Sequence, residues 1–337
     1  MGLLGFKLKL GMFPKTEKID RKHEALVREY EEYLAYSQSE ELARFGYLNK
    51  YLHSPEFEER ENNPEISKDE TKELKNEFKR LKKSPQLVAY FKSKSQEAKF
   101  APLKAWNLVF EDDFTGDSLD TDKWLTRHYW GDKLLNGNYS FSGDQHCNTD
   151  GKNISLSKSK LSIITRKEEA QGFEWKPEAG FIHHNFPYTS GVINTGKSFW
   201  QMYGKVEVKV KIPKGAAYHA FWLAGERMLP QINVFKYSKK KFYLGNFWEN
   251  TDSPYTVKED QSEITGAFTG KYYIFSLEWA PKFLQWSING KIFKIANRGI
   301  PSEPMYLVFG SGMTNDAYRL SNPVKFEIDW VRFYVKP

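Results

Sequence analysis

Residues 205–212, near the middle of the chain, alternate strictly between charged and apolar side chains. Successive side chains of a β-strand point to opposite faces of its sheet, whereas an α-helix repeats about every 3.6 residues. The alternation therefore places the apolar residues from Val206 to Ile212 on one face and the charged residues on the other. It predicts a strand that packs one face on a core and leaves the other in water.

Strand-like runs separated by short turns rich in Gly, Asn, Asp and Pro continue from Trp106 to the end of the chain. The strongest hairpin signal is Asn289-Gly290, which lies between two apolar runs and favours the tight turn that joins adjacent strands. The chain is 16% aromatic, which suits a β-rich core. We predict an all-β sandwich over residues 106–337.

The first hundred residues have a different pattern, with apolar side chains at helical spacing. Five of them lie on one helical face, and we call these five the N-terminal stripe: Ile19, Leu26, Tyr30, Tyr33 and Leu34. Because so short and charged an array buries little apolar surface alone, the stripe is expected to be covered by protein. The cover would be the sandwich, another copy or a larger assembly. Residues 1–100 are therefore predicted to form a charged α-helical attachment module.

Two local signals predict helix boundaries in this region. Ser37 precedes Glu40 by three residues, the form of a capping box in which the Ser oxygen accepts a hydrogen bond from a helix N-terminal amide. Asn62-Asn63-Pro64 predicts a break between helices, because proline cannot continue the hydrogen-bonding pattern.

Composition excludes several classes of protein. The net charge of +7 is spread among interspersed acids, so no nucleic-acid partner is expected. With Cys147 alone, the chain has no internal disulfide and no Cys/His metal pattern, and no metal or other cofactor is expected. The apolar N-terminus is interrupted by Lys7 and Lys9, which argues against a signal peptide, and no run has transmembrane length. We expect synthesis in the cytoplasm and no membrane insertion.

Four stretches in the β region resemble glycoside hydrolase family 16, the laminarinase- and carrageenase-like β-jelly rolls. They are residues 108–124 for the opening strand, 190–195 with 203–215 for the central strands, 277–282 with 286–290 for the late hairpin, and 326–334 for the last strand. The resemblance implies a concanavalin A-like jelly roll. The fold class expected for the whole chain is α+β, a jelly-roll sandwich preceded by a small α-helical domain.

The resemblance also implies where catalytic residues should lie. The signature strand of the family carries a nucleophilic Glu, an Asp two residues on and an acid/base Glu three residues beyond that. The matching positions here are Gln231, Asn233 and Lys236. The spacing implies a one-residue bulge that returns the last position to the cleft, with Phe235 as the extra residue. Since a retaining glycosidase needs two carboxyl groups, the protein is expected to have no catalytic residue and not to be an enzyme.

The same positions suit ligand binding. Gln231 and Asn233 both donate and accept hydrogen bonds, as sugar hydroxyls require, and Lys236 would favour uronate or sulfated sugars. Trp222 and Trp248 are the expected stacking partners of sugar rings. We expect a non-catalytic glycan-binding or structural module of an oligomeric assembly, joined to protein partners through its helices, such as a phage virion protein.

Two alternatives stay open. The first is an active glycoside hydrolase or transglycosylase that uses relocated carboxylates, for which Glu226 and Glu249 lie nearest in sequence to the signature strand. The second is a structural packing block with no ligand, in which the three polar residues line a groove that has lost its use.

Overall fold

The structure of the protein is a computed structural model that describes residues 13–63, 68–250, 256–315 and 319–337, with the backbone alone at 132 and 133. The described chain divides into two compact units. The helical unit comprises Glu17–Trp106. The β unit comprises Asn107–Lys336 together with the described residues up to Thr16.

The helical unit consists of short helices joined by tight turns. Its described helices are α1 (Thr16–Ser37), α2 (Glu40–Tyr51), α3 (Pro55–Asn62), α4 (Lys68–Lys82), α5 (Pro85–Ser95) and α6 (Ala101–Lys104), with a 3₁₀ turn at Glu97–Phe100. Among the described helices, none has both the length and the apolar composition needed to cross a bilayer.

Aromatic stacking organises the interior of the helical unit. The Tyr33 ring on α1 stacks on Tyr90 at 5.2 Å and on Phe100 at 5.5 Å, and Tyr30 lies 4.9 Å from Phe100. Part of the N-terminal stripe is thus covered inside the unit. Leu34 remains 44% exposed.

The N-terminal cap of α2 differs from the expected one. Ser39 accepts a hydrogen bond from the Leu42 amide at 3.2 Å and occupies the cap position. Ser37 instead donates to the Leu34 carbonyl at 2.6 Å, because α1 extends as far as Ser37. The predicted capping box at Ser37 is therefore wrong by two residues.

The β unit contains, in its described part, two sheets and one short helix, α7 (Asp132–Leu135). The strands are β1 (Asn107–Asp112), β2 (Tyr139–Phe141), β3 (His146–Asn148), β4 (Ile154–Leu156), β5 (Leu161–Lys176), β6 (Gly180–Ser190), β7 (Val192–Asn194), β8 (Gly204–Lys211), β9 (Tyr218–Ala224), β10 (Gln231–Ser238), β11 (Lys241–Glu249), β12 (Val257–Thr265), β13 (Tyr272–Ala280), β14 (Phe283–Ile288), β15 (Lys291–Ala296), β16 (Tyr306–Gly312) and β17 (Val324–Val335).

In the described residues, the larger sheet has the strand order β15-β14-β13-β8-β17-β5-β6-β3, with β1, β2 and β4 paired beside it. The smaller sheet has the order β12-β11-β10-β9-β16-β7. The core lies between the two sheets, as the burial of alternate residues on β8 shows. Its Val206, Val208 and Val210 are at most 1% exposed, while the charged residues between them lie on the outer face. The alternation read from the sequence is confirmed.

The hairpin between β14 and β15 forms where the sequence predicts it. Asn289 and Gly290 have φ values of +47° and +71°, the left-handed conformation that a two-residue hairpin turn of this kind requires. The β sandwich and the preceding helices together confirm the predicted α+β class.

Residues 13–16 belong to the β unit through specific contacts. The Asn289 side-chain amide donates to the Pro14 carbonyl at 2.8 Å and to Thr16 Oγ1 at 2.9 Å. The Phe13 ring packs 5.9 Å from Phe293. The helical unit is therefore entered from, and returns to, the same β unit, whereas the sequence suggested a single boundary near residue 100.

A long hairpin formed by β5 and β6 extends beyond the sandwich. Its outer part pairs in parallel with β2, where Tyr139 lies opposite Phe173. The hairpin also pairs in parallel with β3, near the end of β6, where His146 lies opposite Tyr188. This arrangement, which the sequence did not reveal, carries β2 and β3 to one side of the smaller sheet's outer face.

Candidate functional site

A cleft of about 360 Å³ lies on the outer face of the smaller sheet. Its floor is formed by three adjacent strands, which contribute Trp222 from β9, Gln231 and Lys236 from β10, and Tyr306 from β16. Since the opposite face of these strands packs on the core, their alternate residues point into the cleft.

A bulge sets the direction of the β10 side chains. Gln231 and Asn233 point into the cleft, and regular alternation would turn residue 236 toward the core. The pairing with β9 goes from Asn233 opposite Trp222 to Phe235 opposite Phe221, so Val234 is the unpaired residue. The bulge returns Lys236 to the cleft, as predicted, but toward β9 the extra residue is Val234 and not Phe235.

Gln231 and Asn233 are joined by a hydrogen bond. Gln231 Nε2 donates to Asn233 Oδ1 at 2.6 Å. The backbone carbonyl of Asn233 accepts from Trp286 Nε1 at 2.9 Å, which fixes this strand against the larger sheet. Asn233 is 4% exposed, while Gln231 is more open to the cleft. The pair presents a rigid polar floor.

Lys236 brings a cation into this partly apolar space. Its ammonium lies 5.2 Å from the centroid of the Tyr218 ring, within the range of a cation–π interaction. Burial lowers the pKa of Lys236, and the nearby charge of Asp144 opposes that shift. The positive charge of the Lys236 ammonium is thus only partly balanced by negative charge within the cleft.

Asp144 also lines the cleft, on the loop between β2 and β3. It is 9% exposed, and its Oδ2 accepts a hydrogen bond from the Phe141 amide at 3.0 Å. Burial raises the pKa of this carboxyl group, against smaller opposing effects of His146, the Phe141 amide and Lys236. No sequence pattern pointed to Asp144, because its loop is distant in the chain from β10.

Aromatic rings flank the polar floor. The Trp222 ring lies over the backbone of Gly310, where an added Cβ would come within 3.0 Å of the ring. On the loop side, Trp130 packs edge-on against Trp175 of β5 at 5.0 Å. Its backbone carbonyl accepts a 2.7 Å hydrogen bond from Tyr139 Oη. Trp222 and Trp130 are partly exposed and offer flat apolar faces to the cleft, while Tyr139 is buried in its wall.

The structure does not bring Trp248 to this cleft. Trp248 lies on the same face of β11 as Asn246, which is fully buried, and its ring packs directly on Gly299. Glu226 and Glu249 lie with Trp248 around a separate depression at the end of the sandwich. Neither of these glutamates lines the cleft.

Buried His128 completes the wall beside Tyr139. Its ring is 4.5 Å from the Phe141 ring, and burial lowers its pKa to about 3, so the imidazole is neutral at ordinary pH. Within the described part of the chain, no group of three or more His, Cys, Asp or Glu side chains has the arrangement of a metal site.

Comparisons with known proteins agree with this architecture. The family model described as "Glycosyl hydrolases family 16" matches residues 139–332. Glucan endo-1,3-beta-glucosidase A1 of Niallia circulans is 24% identical over 269 residues, which cover 68% of this chain and 38% of that protein. Clotting factor G alpha subunit of Tachypleus tridentatus is 23% identical over 68% of this chain and 34% of its own length. The chain thus spans little more than a third of these relatives.

Solved structures share the fold of the β unit. The catalytic domain of an endo-1,3-beta-glucanase (laminarinase) from Thermotoga petrophila RKU-1 superposes with a TM-score of 0.54 at 20% identity, covering 69% of this chain and 99% of that one. The kappa-carrageenase from Pseudoalteromonas carrageenovora, in complex with an oligotetrasaccharide of kappa-carrageenan, gives 0.55 at 19% identity, covering 69% and 96%.

These comparisons contradict the prediction that the protein is not an enzyme. The matching family is one of hydrolases, and relatives and structural neighbours are named as glucanases. The prediction weighed Glu226 and Glu249 as relocated carboxylates, and both lie outside the cleft. It did not consider Asp144, whose carboxyl group lines the cleft from another segment of the chain.

Proposed function

Because the chain belongs to glycosyl hydrolases family 16, we propose that its β unit binds a polysaccharide along the cleft and hydrolyses the glycosidic bonds of that polysaccharide. The observation that carries this proposal is the composition of the cleft. Hydrogen-bonding side chains form its floor at Gln231 and Asn233, and aromatic faces border it at Trp222 and Trp130. Sugars expose hydroxyl groups at their edges and apolar C–H faces, so this combination suits them.

The charge in the cleft supports a narrower class of ligand. Lys236 is partly buried there, and its ammonium can donate charge-assisted hydrogen bonds to a sulfate or carboxylate group. We therefore propose that anionic polysaccharides bind more tightly than neutral ones. Their binding should weaken as salt increases, since screening reduces the attraction between separated charges.

Two polysaccharides test the proposal directly. The full-length protein is incubated with laminarin, a neutral glucan, and with κ-carrageenan, a sulfated galactan, and reducing ends and binding are measured. We expect binding and slow release of reducing ends, with preference for the sulfated polymer. Trp222→Ala should weaken binding about 5- to 30-fold, because stacking a sugar on an aromatic face contributes on the order of 1–2 kcal/mol.

Trp248→Ala is the matched control, since this tryptophan lies outside the cleft. Equal loss of binding in both tryptophan variants would contradict the assignment of the cleft. Absence of any cleavage across a panel of β-glucans, agars and carrageenans would contradict the proposed hydrolysis.

The helical unit is proposed to join the β unit to a larger assembly, for which a virion was the expectation from sequence. Three large apolar side chains at its surface support this: Tyr47, Val88 and Phe91 are 54%, 56% and 42% exposed. Such side chains favour a protein contact that removes them from water. Val88→Asp in the full-length chain should lower the mass of the assembly in sedimentation. Leu108→Asp on β1 is the control and should leave the mass of the assembly unchanged. An unchanged mass in Val88→Asp would contradict this role.

A further inference from the structure

Asp144 occupies a distinctive position in the cleft. Among the described residues that line it, Asp144 alone carries a carboxyl group. Hydrolysis of a glycoside requires protonation of the departing oxygen, and a carboxylic acid is the usual donor. The family's acid/base position is held by Lys236, so the acid has to come from another segment of the chain.

The loop between β2 and β3 holds Asp144 firmly. Its backbone amide donates to the Phe141 carbonyl at 3.0 Å, and its Oδ2 accepts from the Phe141 amide at 3.0 Å. Gly143, with φ of +88°, supplies the left-handed turn between them. The next amide, of Gln145, donates to the Met313 carbonyl at 2.8 Å and ties the loop to the segment after β16. A carboxyl group held in this way needs little reorganisation to meet a bound sugar.

The surroundings of Asp144 raise the pKa of its carboxyl group. The ionisable groups that act on it come from four strands: His146 on β3, Glu174 on β5, Tyr218 on β9 and Lys236 on β10. Burial has the largest effect and raises the pKa of Asp144, and the negative charge of Glu174 adds to it. A raised pKa is the direction of shift that suits a carboxyl group acting as a general acid.

We infer that Asp144 is the general acid of the proposed hydrolysis, an inference that rests on the proposed function. The Asp144 carboxyl group donates its proton to the glycosidic oxygen while the bond from that oxygen to the anomeric carbon breaks. One water molecule adds to the anomeric carbon and releases a proton to solvent. The Asp144 carboxylate then regains a proton from solvent. Because Gln231 offers no carboxylate nucleophile, water attacks the anomeric carbon directly.

Substrates with different leaving groups separate this role from a structural one. Asp144→Asn keeps the size of the side chain and an oxygen to accept from the Phe141 amide, but has no acidic proton. On the polysaccharide that the wild type cleaves, the variant should lose at least about 100-fold in kcat/KM, the usual contribution of a general acid. A 2,4-dinitrophenyl glycoside of the same sugar needs no protonation of its leaving group. Its hydrolysis should change less than about 3-fold, which also shows that the variant is folded.

Glu226→Gln and Glu249→Gln are the matched controls, since both glutamates lie outside the cleft. They should cleave the polysaccharide at the wild-type rate. Cleavage of the polysaccharide by Asp144→Asn at the wild-type rate overturns the inference and leaves the proposed function standing. A wild-type chain that cleaves nothing overturns both.

Discussion

The Gln231 side-chain amide donates a 2.6 Å hydrogen bond to the carbonyl oxygen of the Asn233 side chain. These are the two positions at which the family resemblance places a nucleophilic Glu and its neighbouring Asp. Two amides can satisfy each other at this distance, whereas two ionised carboxylates repel. The pair is therefore chemically self-consistent, and each residue depends on the identity of the other.

This dependence predicts a strong coupling between substitutions. Gln231→Glu and Asn233→Asp should each cost less than about 1.5 kcal/mol of unfolding free energy, because one amide donor remains to bond the new carboxylate. The double variant places two carboxylates at the distance of the present hydrogen bond. At pH 7 it should be destabilised beyond the sum of the single variants by at least about 1 kcal/mol, measured by urea unfolding.

The destabilisation of the double variant beyond the sum of the single variants should be smaller at pH 4.5 than at pH 7. Two adjacent carboxylates raise the pKa of one of them in the folded state, and stability from a raised pKa is present at low pH and lost as pH rises. An excess that stays constant between pH 4.5 and pH 7 would show that packing, and not charge, couples the two positions.

A second prediction concerns the β5–β6 hairpin. Trp175 of β5 packs against Trp130 in the cleft wall, and Phe181 of β6 lies 6.3 Å from Trp130. Trp175→Ala should weaken polysaccharide binding several-fold by leaving the Trp130 ring without its support. Combined with Trp130→Ala it should add almost nothing, which affinity measurements on the four members of a double-mutant cycle can establish. Additive losses would mean that Trp175 acts independently of Trp130.

Buried histidines predict how stability depends on pH. Burial lowers the pKa of His219 to about 3 in the folded protein, while an unfolded histidine titrates near 6.5. Between these values the unfolded state binds the proton and the folded state does not, so the free energy of unfolding decreases as pH falls below about 6.5. The slope from His219 should reach about 1.4 kcal/mol per pH unit.

His219→Gln should remove that part of the slope, whatever it does to stability at pH 7. The matched control is His183→Gln, at an exposed position on β6. Urea unfolding between pH 4 and pH 7 measures both. An unchanged slope in His219→Gln would mean that other groups dominate the acid sensitivity of the protein.

A further prediction tests the link between residues 13–16 and the sandwich. The Asn289 side chain donates to Pro14 and Thr16 and accepts from the Ile274 amide at 2.8 Å. Asn289→Ala removes these bonds and places Ala at φ of +47°, and we expect a loss of about 3 kcal/mol in unfolding free energy. Tryptophan fluorescence follows the β unit, since every tryptophan except Trp106 lies in it.

The exposed Asn185→Ala on β6 serves as the control and should change stability by less than about 0.5 kcal/mol. If both variants unfold at the same urea concentration, residues 13–16 contribute nothing to the β unit. Unfolding of Asn289→Ala in the absence of residues 1–16 separates the lost contacts from the strain at the turn.

Features that depend only on residues adjacent in the sequence were predictable from it. The turn at Asn289 and Gly290 follows from the left-handed conformation that these residues tolerate, and the alternation around Val208 follows from the geometry of a strand. The position of Lys236 in the cleft followed from the motif spacing. The extra residue of its bulge did not, because the choice between Val234 and Phe235 depends on the pairing with β9.

The composition of the cleft could not be predicted in the same way. Asp144 reaches the cleft through a loop whose course is set by the parallel pairing of β2 and β3 with the long hairpin. Trp248 was selected for its nearness in sequence to β10, but the phase of β11 turns it to the other side of the sheet. Both errors arise from contacts between segments that are far apart in the chain.

The helical unit is a domain inserted into the β unit, because the chain leaves the β unit after Thr16 and re-enters it at Asn107. In such an insertion the helical unit is the guest and the β unit is the host. The β unit holds the chain at Thr16 and again from Asn107, so the guest is secured at both ends. One proteolytic cut within the helices would leave each fragment tethered to the sandwich, and release requires two cuts. A guest of this kind can be exchanged for another as a cassette only if the replacement begins and ends at the same two points of the host.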